Sequence, residues 1–338
     1  HNPLLRLTFV PSALLDPLKR IQQPVAAEMA EFEQVFRKAL SSKVGLLDRI
    51  THYLVRRKGK QLRPMLVFLS AKLHGTIGPA THRGASFLEM IHTATLVHDD
   101  VVDDSYYRRG FLSLNALWKN KIAVLVGDYL LAKGQLLVTG AGEFQTLELV
   151  SEAVREMSEG ELLQIEKARR LDIDEAIYYE IIRQKTASLI TACCAVGASS
   201  VGADAESIDR MKRLGYELGM AFQIKDDLFD YERINKTGKP SGIDIKEQKM
   251  TLPLIRALSE AGNGEKRRLM RAIRSGNNDP EQVAKVLEFV RQSGGVAYAE
   301  QVMNRHRANA STLLETYRSD PAAEALRQLA DFVVERDR

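Results

Sequence analysis

Residues 81–103 read THRGASFLEMIHTATLVHDDVVD. Phe87, Leu88, Ile91, Ala94, Thr95 and His98 recur there at the spacing of an α-helix, and the stretch closes on a run of acids. One long helix is predicted, with carboxylates at its C-terminal end. The same period extends in both directions. Between 25 and 40, Met29, Phe32, Val35, Phe36 and Leu40 repeat at threes and fours. Further helices are predicted over 46–55, 64–73 (opening on Pro64, which suits a first helical turn), 122–139, 144–169, 174–198 and 205–231. Strand-like alternation is hard to find, so the fold class is all-α. Residues 232–250, polar and rich in Gly, Lys and Pro, are predicted to form a long ordered loop.

Composition narrows the function. The chain has 338 residues, 45% of them apolar and only 10 of them Pro, which allows a sizeable core. No Pro- or Ser/Gly-rich linker divides it, so residues 1–338 are expected to form a single domain. The net charge of +4 comes from Lys and Arg dispersed among 44 acids. A nucleic-acid binder would gather its cations into a stripe, so no nucleic-acid partner is expected. Cys193 and Cys194 are neighbours in a small apolar run, which suits packing in a reduced compartment. No apolar run of about 18 residues marks a membrane span, and no signal peptide is read. A cytoplasmic protein without a transmembrane segment is expected.

One acidic pattern occurs twice. The first copy is Asp99-Asp100-Val101-Val102-Asp103, followed by Asp104; the second is Asp226-Asp227-Leu228-Phe229-Asp230. In a helix, positions i and i+4 share a face, so Asp99 with Asp103, and Asp226 with Asp230, can each grip one cation cluster. Carboxylate oxygens suit Mg²⁺, which keeps several waters and bridges to phosphate. Acids at a helix C-terminus oppose the helix dipole, so local stability does not explain them and a bound cation does. Solvated surface acids are the bland alternative, and two copies closing two apolar helices argue against it.

Cations accompany both copies. Arg108-Arg109-Gly110 follows the first, and Gly59-Lys60-Gln61-Leu62-Arg63-Pro64 precedes a helix whose open N–H groups favour an anion. Lys185-Thr186 lies mid-helix, and Lys239 and Lys249 lie in the polar loop after the second copy. Arginine forks and lysine point charges both suit phosphate oxygens. Metal-bridged diphosphate is the ligand class these residues fit.

In order, Gly59–Pro64, the first acidic copy with Arg108-Arg109-Gly110, Gly127-Asp128-Tyr129, Lys185-Thr186, Gln223 to Asp230 and Gly238 to Asp244 resemble the trans-type polyprenyl diphosphate synthases. The likeness is to the long-chain, octaprenyl-type members. It implies one bundle of mostly antiparallel helices around a deep central cavity, assembled as a homodimer. It implies about three Mg²⁺ ions held by Asp99, Asp103, Asp226, Asp230 and Asp244, with Asp100 and Asp227 in support. Arg108, Lys185, Gln223, Lys239 and Asp244 would complete an allylic diphosphate site, Asp244 through water or metal, with Thr186 and Lys249 also binding substrate. Lys60, Arg63, His92 and Arg109 would hold isopentenyl diphosphate. Two departures stand out: Phe111-Leu112-Ser113 where the family often has Pro with Thr or Ser, and Gln248 where it often has Gly.

The resemblance implies ionisation of the allylic diphosphate, trapping of the carbocation by isopentenyl diphosphate and loss of a proton, with water excluded. Ala94 and Thr95, five and four residues before Asp99, are small and are expected to leave the channel open. Thr81 to Asp99 is about 27 Å of helix, room for a long tail. A product in the hexaprenyl-to-decaprenyl range is expected, with a geranylgeranyl synthase as the alternative and peripheral membrane contact possible at product release. A terpene cyclase would lack the second acidic copy and the Gly59–Pro64 segment, and a non-catalytic subunit would have eroded motifs.

Overall fold

The computed structural model describes residues 16–56, 59–108, 111–171, 173–232, 242–275 and 279–336. Among these, α1 (Pro17–Gln22), α2 (Ala26–Leu40), α3 (Gly45–Arg56) and α4 (Leu62–His74) lead to α5 (Pro79–Val102), the helix of the first acidic copy. A two-stranded hairpin, β1 (Tyr107–Arg108) and β2 (Phe111–Leu112), separates α5 from α6 (Leu114–Thr139). Next come α7 (Phe144–Arg170), α8 (Glu175–Ile182), a π-helical turn Arg183–Ala187, α9 (Ser188–Ser199) and α10 (Ala205–Leu228). A 3₁₀ turn, Phe229–Tyr231, then α11 (Ile243–Lys246), α12 (Leu252–Glu260), α13 (Asn263–Ser275), α14 (Pro280–Gln292), α15 (Gly295–Leu313) and α16 (Pro321–Glu335) complete the chain. The segment expected to be all loop therefore contains α11.

The bundle is built around α5 and α9. Nearly every side chain of α9 is buried, from Ser188 through Ala198, as expected of a helix apolar on all sides. Cys193 and Cys194 are part of that packing, and burial pushes the Cys194 thiol up to about 12. Helices α9 and α10 run antiparallel and touch through Gly215 against Thr191 and Gly219 against Ala187. Helices α5 and α6 are also antiparallel, with the Phe87 ring seated over Gly134 and the His98 ring over Gly127. A Cβ at Gly127 would stand 2.0 Å from the His98 ring, so only glycine admits this approach.

Helix α6 is broken at Lys119 (φ 68°), so its regular part begins close to the predicted start. By length and composition it is apolar enough to cross a membrane, a property that core helices of soluble proteins share. One of its faces (Ala123, Val126, Gly127, Leu130, Gly134 and Val138) is buried within the fold. The opposite face leaves Leu117, Val124, Leu125 and Leu136 exposed.

Candidate active site

The first acidic copy sits at the open end of α5. Asp99 is half-buried, Asp100 buried and Asp103 exposed. The helix stops because Asp103 leaves helical geometry and Asp104 turns left-handed (φ 48°), while the Ser105 N–H and the Asn115 side chain donate to the Asp100 carbonyl at 2.9 and 3.0 Å. Below lies a cavity of about 460 Å³, into which Lys60, Arg63, His92 and Asp100 all converge. Gln61, left-handed at the α4 N-cap, turns the chain so that Lys60 and Arg63 approach the same space. Lys60 Nζ also lies 5.2 Å from the Phe332 ring centre. The same cavity has apolar walls, with Leu96, Leu130, Ile190 and Leu218.

The α5 wall of this cavity is Glu89, His92, Thr93, Leu96, Val97 and Asp100, a single helical stripe. Ala94 and Thr95, expected to border the channel, are not in it. Ala94 is wholly buried on the stripe Phe87-Ile91-Ala94-His98, whose ends rest on α6. Five residues turn an α-helix by about 140°, which carries Ala94 away from the face of Asp99. The Thr95 hydroxyl donates to the His92 carbonyl at 3.0 Å.

The second copy is built differently. Asp226 is exposed, but Asp227 and Asp230 are buried. Asp227 accepts from the Tyr178 hydroxyl at 2.7 Å and from Gln223 Nε2 at 2.9 Å. Gln223 Oε1 in turn accepts from the Thr186 hydroxyl at 2.8 Å. The chain Thr186–Gln223–Asp227–Tyr178 thus links the π-helical turn, α10 and α8. Such turns concentrate at functional sites, and this one also carries Lys185, whose Nζ lies 2.5 Å from Glu161 and 3.2 Å from Gln164.

Asp230 does not stand one turn beyond Asp226 on a common helical face. The α-helix ends at Leu228, and the following turn points the Asp230 carboxylate at the start of α11. Its oxygens accept from the N–H groups of Gly242 (3.0 Å), Ile243 (2.9 Å) and Asp244 (3.1 Å). This is an anion at a helix N-terminus, and its bonds anchor the start of α11.

Burial, and then the neighbouring Asp244 carboxylate, push Asp227 up to about 7. Burial, and then Asp230, push Asp244 up to about 6, against the pull of Lys249, whose Nζ is 3.8 Å away. Among the described residues no three carboxylate, imidazole or thiol groups converge on one point. The donor set nonetheless fits Mg²⁺. Asp244 raises Asp227 and Asp230 raises Asp244, a like-charge conflict that a divalent cation would relieve. Mg²⁺ would need few protein ligands, because water and phosphate oxygens would complete its shell.

Two residues escaped the sequence reading. Tyr178 is one. Arg336 is the other: it lines the cavity, lies 3.4 Å from Asp226, donates to the Phe222 carbonyl at 3.2 Å and stacks over the Phe222 ring at 4.0 Å. A single arginine 110 positions away in sequence carries no local signal. Arg109, Gly110 and Lys239 lie outside the described residues, as does the side chain of Arg108.

With this geometry in view, residues 44–290 match the family model described as polyprenyl synthetase. The chain belongs to the polyprenyl synthetase family. The octaprenyl diphosphate synthase of Escherichia coli is 36% identical over 322 residues, covering 95% of this chain and 99% of that one. A crystal structure of a decaprenyl diphosphate synthase from Rhodobacter capsulatus is 37% identical, covers 95% and 100% of the two chains, and superposes with a TM-score of 0.89. A polyprenyl synthase from Caulobacter crescentus, complexed with calcium and isoprenyl diphosphate, superposes at 0.87 with 34% identity and coverage of 95% and 98%. The present synthase is a prenyltransferase of the all-α isoprenoid synthase fold.

Proposed function

We propose that this synthase condenses an allylic prenyl diphosphate with successive molecules of isopentenyl diphosphate to give an all-trans polyprenyl diphosphate in the hexaprenyl-to-decaprenyl range. One observation carries the reading: a cavity that gathers Lys60, Arg63, His92, Asp100 and Arg336 among walls of leucine and isoleucine. Diphosphates suit such cations and a growing hydrocarbon suits such walls.

Asp99, Asp103 and Asp226 are the carboxylates assigned to Mg²⁺, with Asp244 near Asp226. When bound, Mg²⁺ supplies the charge that stabilises a departing diphosphate. Lys185 and Thr186, on the π-helical turn, orient the allylic diphosphate. Gln223 and Asp227 fix that turn relative to the second acidic copy. Lys60, Arg63 and His92 hold isopentenyl diphosphate with its double bond toward the ionising carbon, and the apolar wall keeps water from the carbocation. No side-chain nucleophile is required. A tail that outgrows the cavity would press on the seam between α5 and α6, where Ala94 lies. The exposed apolar face of α6 suits a second copy of the chain, which supports a homodimer.

The test is incubation with farnesyl diphosphate, isopentenyl diphosphate and Mg²⁺, followed by chromatography of the dephosphorylated products. Products of six to ten isoprene units are expected; accumulation at the geranylgeranyl length would refute the long-chain assignment.

A further inference from the structure

Away from the cavity, the strongest concentration of charge lies on α13, NGEKRRLMRAIRS. It carries Lys266, Arg267, Arg268, Arg271 and Arg274 against one acid, Glu265. Five cations less one acid leave +4, as much as the formal net charge of all 338 residues. Leu269 and Ile273 are buried in the core, and the five cations are all on the exposed side. Arg268 lies 3.8 Å from Glu265, its own side chain 77% exposed. On the adjoining α14, Glu288 faces Arg291 at 3.7 Å and Gln292 at 2.9 Å. At its other end, the Arg274 carbonyl accepts from Gln248, so the basic face adjoins the segment carrying Asp244 and Lys249.

We propose that the exposed face of α13 is a docking surface for an anionic lipid bilayer. The helix has spent its apolar stripe inside the core, so it can adsorb to headgroups by charge but cannot insert. Four to eight Lys or Arg on one amphipathic helix is the pattern that anionic leaflets attract. A nucleic acid would need the stripe to continue, and on the adjoining α14 the charges alternate in sign, Glu281, Lys285, Glu288 and Arg291. The inference rests on the synthase reading in one respect: a polyprenyl product is too apolar to leave for water, and a synthase held at a bilayer can deliver it there.

The experiment is sedimentation of the full chain with vesicles of phosphatidylcholine alone, or of phosphatidylcholine with one-third phosphatidylglycerol, in the absence of substrates. Binding is expected only to the anionic vesicles and should weaken with salt. Each cation near such a surface is worth roughly fivefold, so Lys266→Gln, Arg267→Gln and Arg274→Gln together should weaken binding roughly 100-fold. Arg155→Gln, Arg213→Gln and Arg318→Gln, which remove exposed cations elsewhere, should leave it within about twofold. Equal binding by the α13 variant and the parent, equal binding to neutral vesicles, or tighter binding to single-stranded DNA than to anionic vesicles would each overturn the proposal. Because no substrate is present, the result is independent of product length or activity.

Discussion

The two acidic copies look alike in sequence and differ in construction. At the end of α5, Asp103 is exposed at the rim and the copy is shaped mainly by its own helix end. At the end of α10, Asp227 and Asp230 are buried and tied to Tyr178, Gln223 and the N-terminus of α11. A motif therefore specifies residue types, while the surrounding fold decides which carboxylates remain available to a ligand. The first copy is cheap to alter and costly to lose catalytically. The second is part of the fold as well as of the site.

The largest effect should come from the carboxylates left at the rim. Asp99→Ala and Asp226→Ala are each expected to lower kcat by roughly a thousandfold, the scale of losing a main electrostatic group, with little change in thermal stability. Steady-state kinetics at saturating Mg²⁺ and a melting curve decide it. Near-normal turnover in either variant would remove that residue from the metal site.

Stability should then separate the copies. Asp230→Ala strands the N–H groups of Ile243 and Asp244, Gly242 keeping the Asp230 carbonyl, and should cost about 2–3 kcal/mol, whereas Asp103→Ala should stay within about 0.5 kcal/mol. Urea denaturation of the two variants measures both. Equal losses would show that Asp230 does not anchor α11.

How much of this was legible follows from the same physics. The period of α5, the acids at its end and the cations that share its cavity are local patterns, and helical spacing reads them directly. Ala94 was misplaced because five residues are not one turn, and the error of about 140° moves a side chain from cavity to seam. That Asp230 anchors α11 is not legible in the motif, because the motif assumes an unbroken helix and α10 ends at Leu228. Tyr178 and Arg336 reach the site only through packing, from 49 and 110 residues away.

A smaller effect should come from Tyr178→Phe, which keeps the ring and deletes only the bond to Asp227. Loss of a hydrogen bond to a buried charged group is worth roughly 1.5–3 kcal/mol. Because Asp227 also reaches Thr186 through Gln223, the KM for the allylic diphosphate should rise several-fold while that for isopentenyl diphosphate holds. A parallel rise in both constants would mean that Tyr178 supports the fold without coupling the π-helical turn to the second copy.

The smallest expected effect concerns Gln248, where the family often has glycine. Its backbone is left-handed (φ 57°), a region that costs a side-chain-bearing residue roughly 1 kcal/mol. The turn is needed because α11 ends at Lys246 and the chain must reverse to bring the Lys249 N–H onto the Asp244 carbonyl at 2.8 Å. Glycine meets that geometry without strain but also enlarges the unfolded ensemble, which gives back part of the gain. The side chain would lose its 3.4 Å contact with the Arg274 carbonyl, a long and weak bond. The balance favours Gln248→Gly by about 0.5 kcal/mol, visible as a slightly higher urea midpoint. The first copy has its own left-handed residue, Asp104, but aspartate tolerates that region, so Asp104→Gly should give less. Stabilisation at Asp104 exceeding that at Gln248 would reverse the ranking and place the greater backbone strain at the first copy.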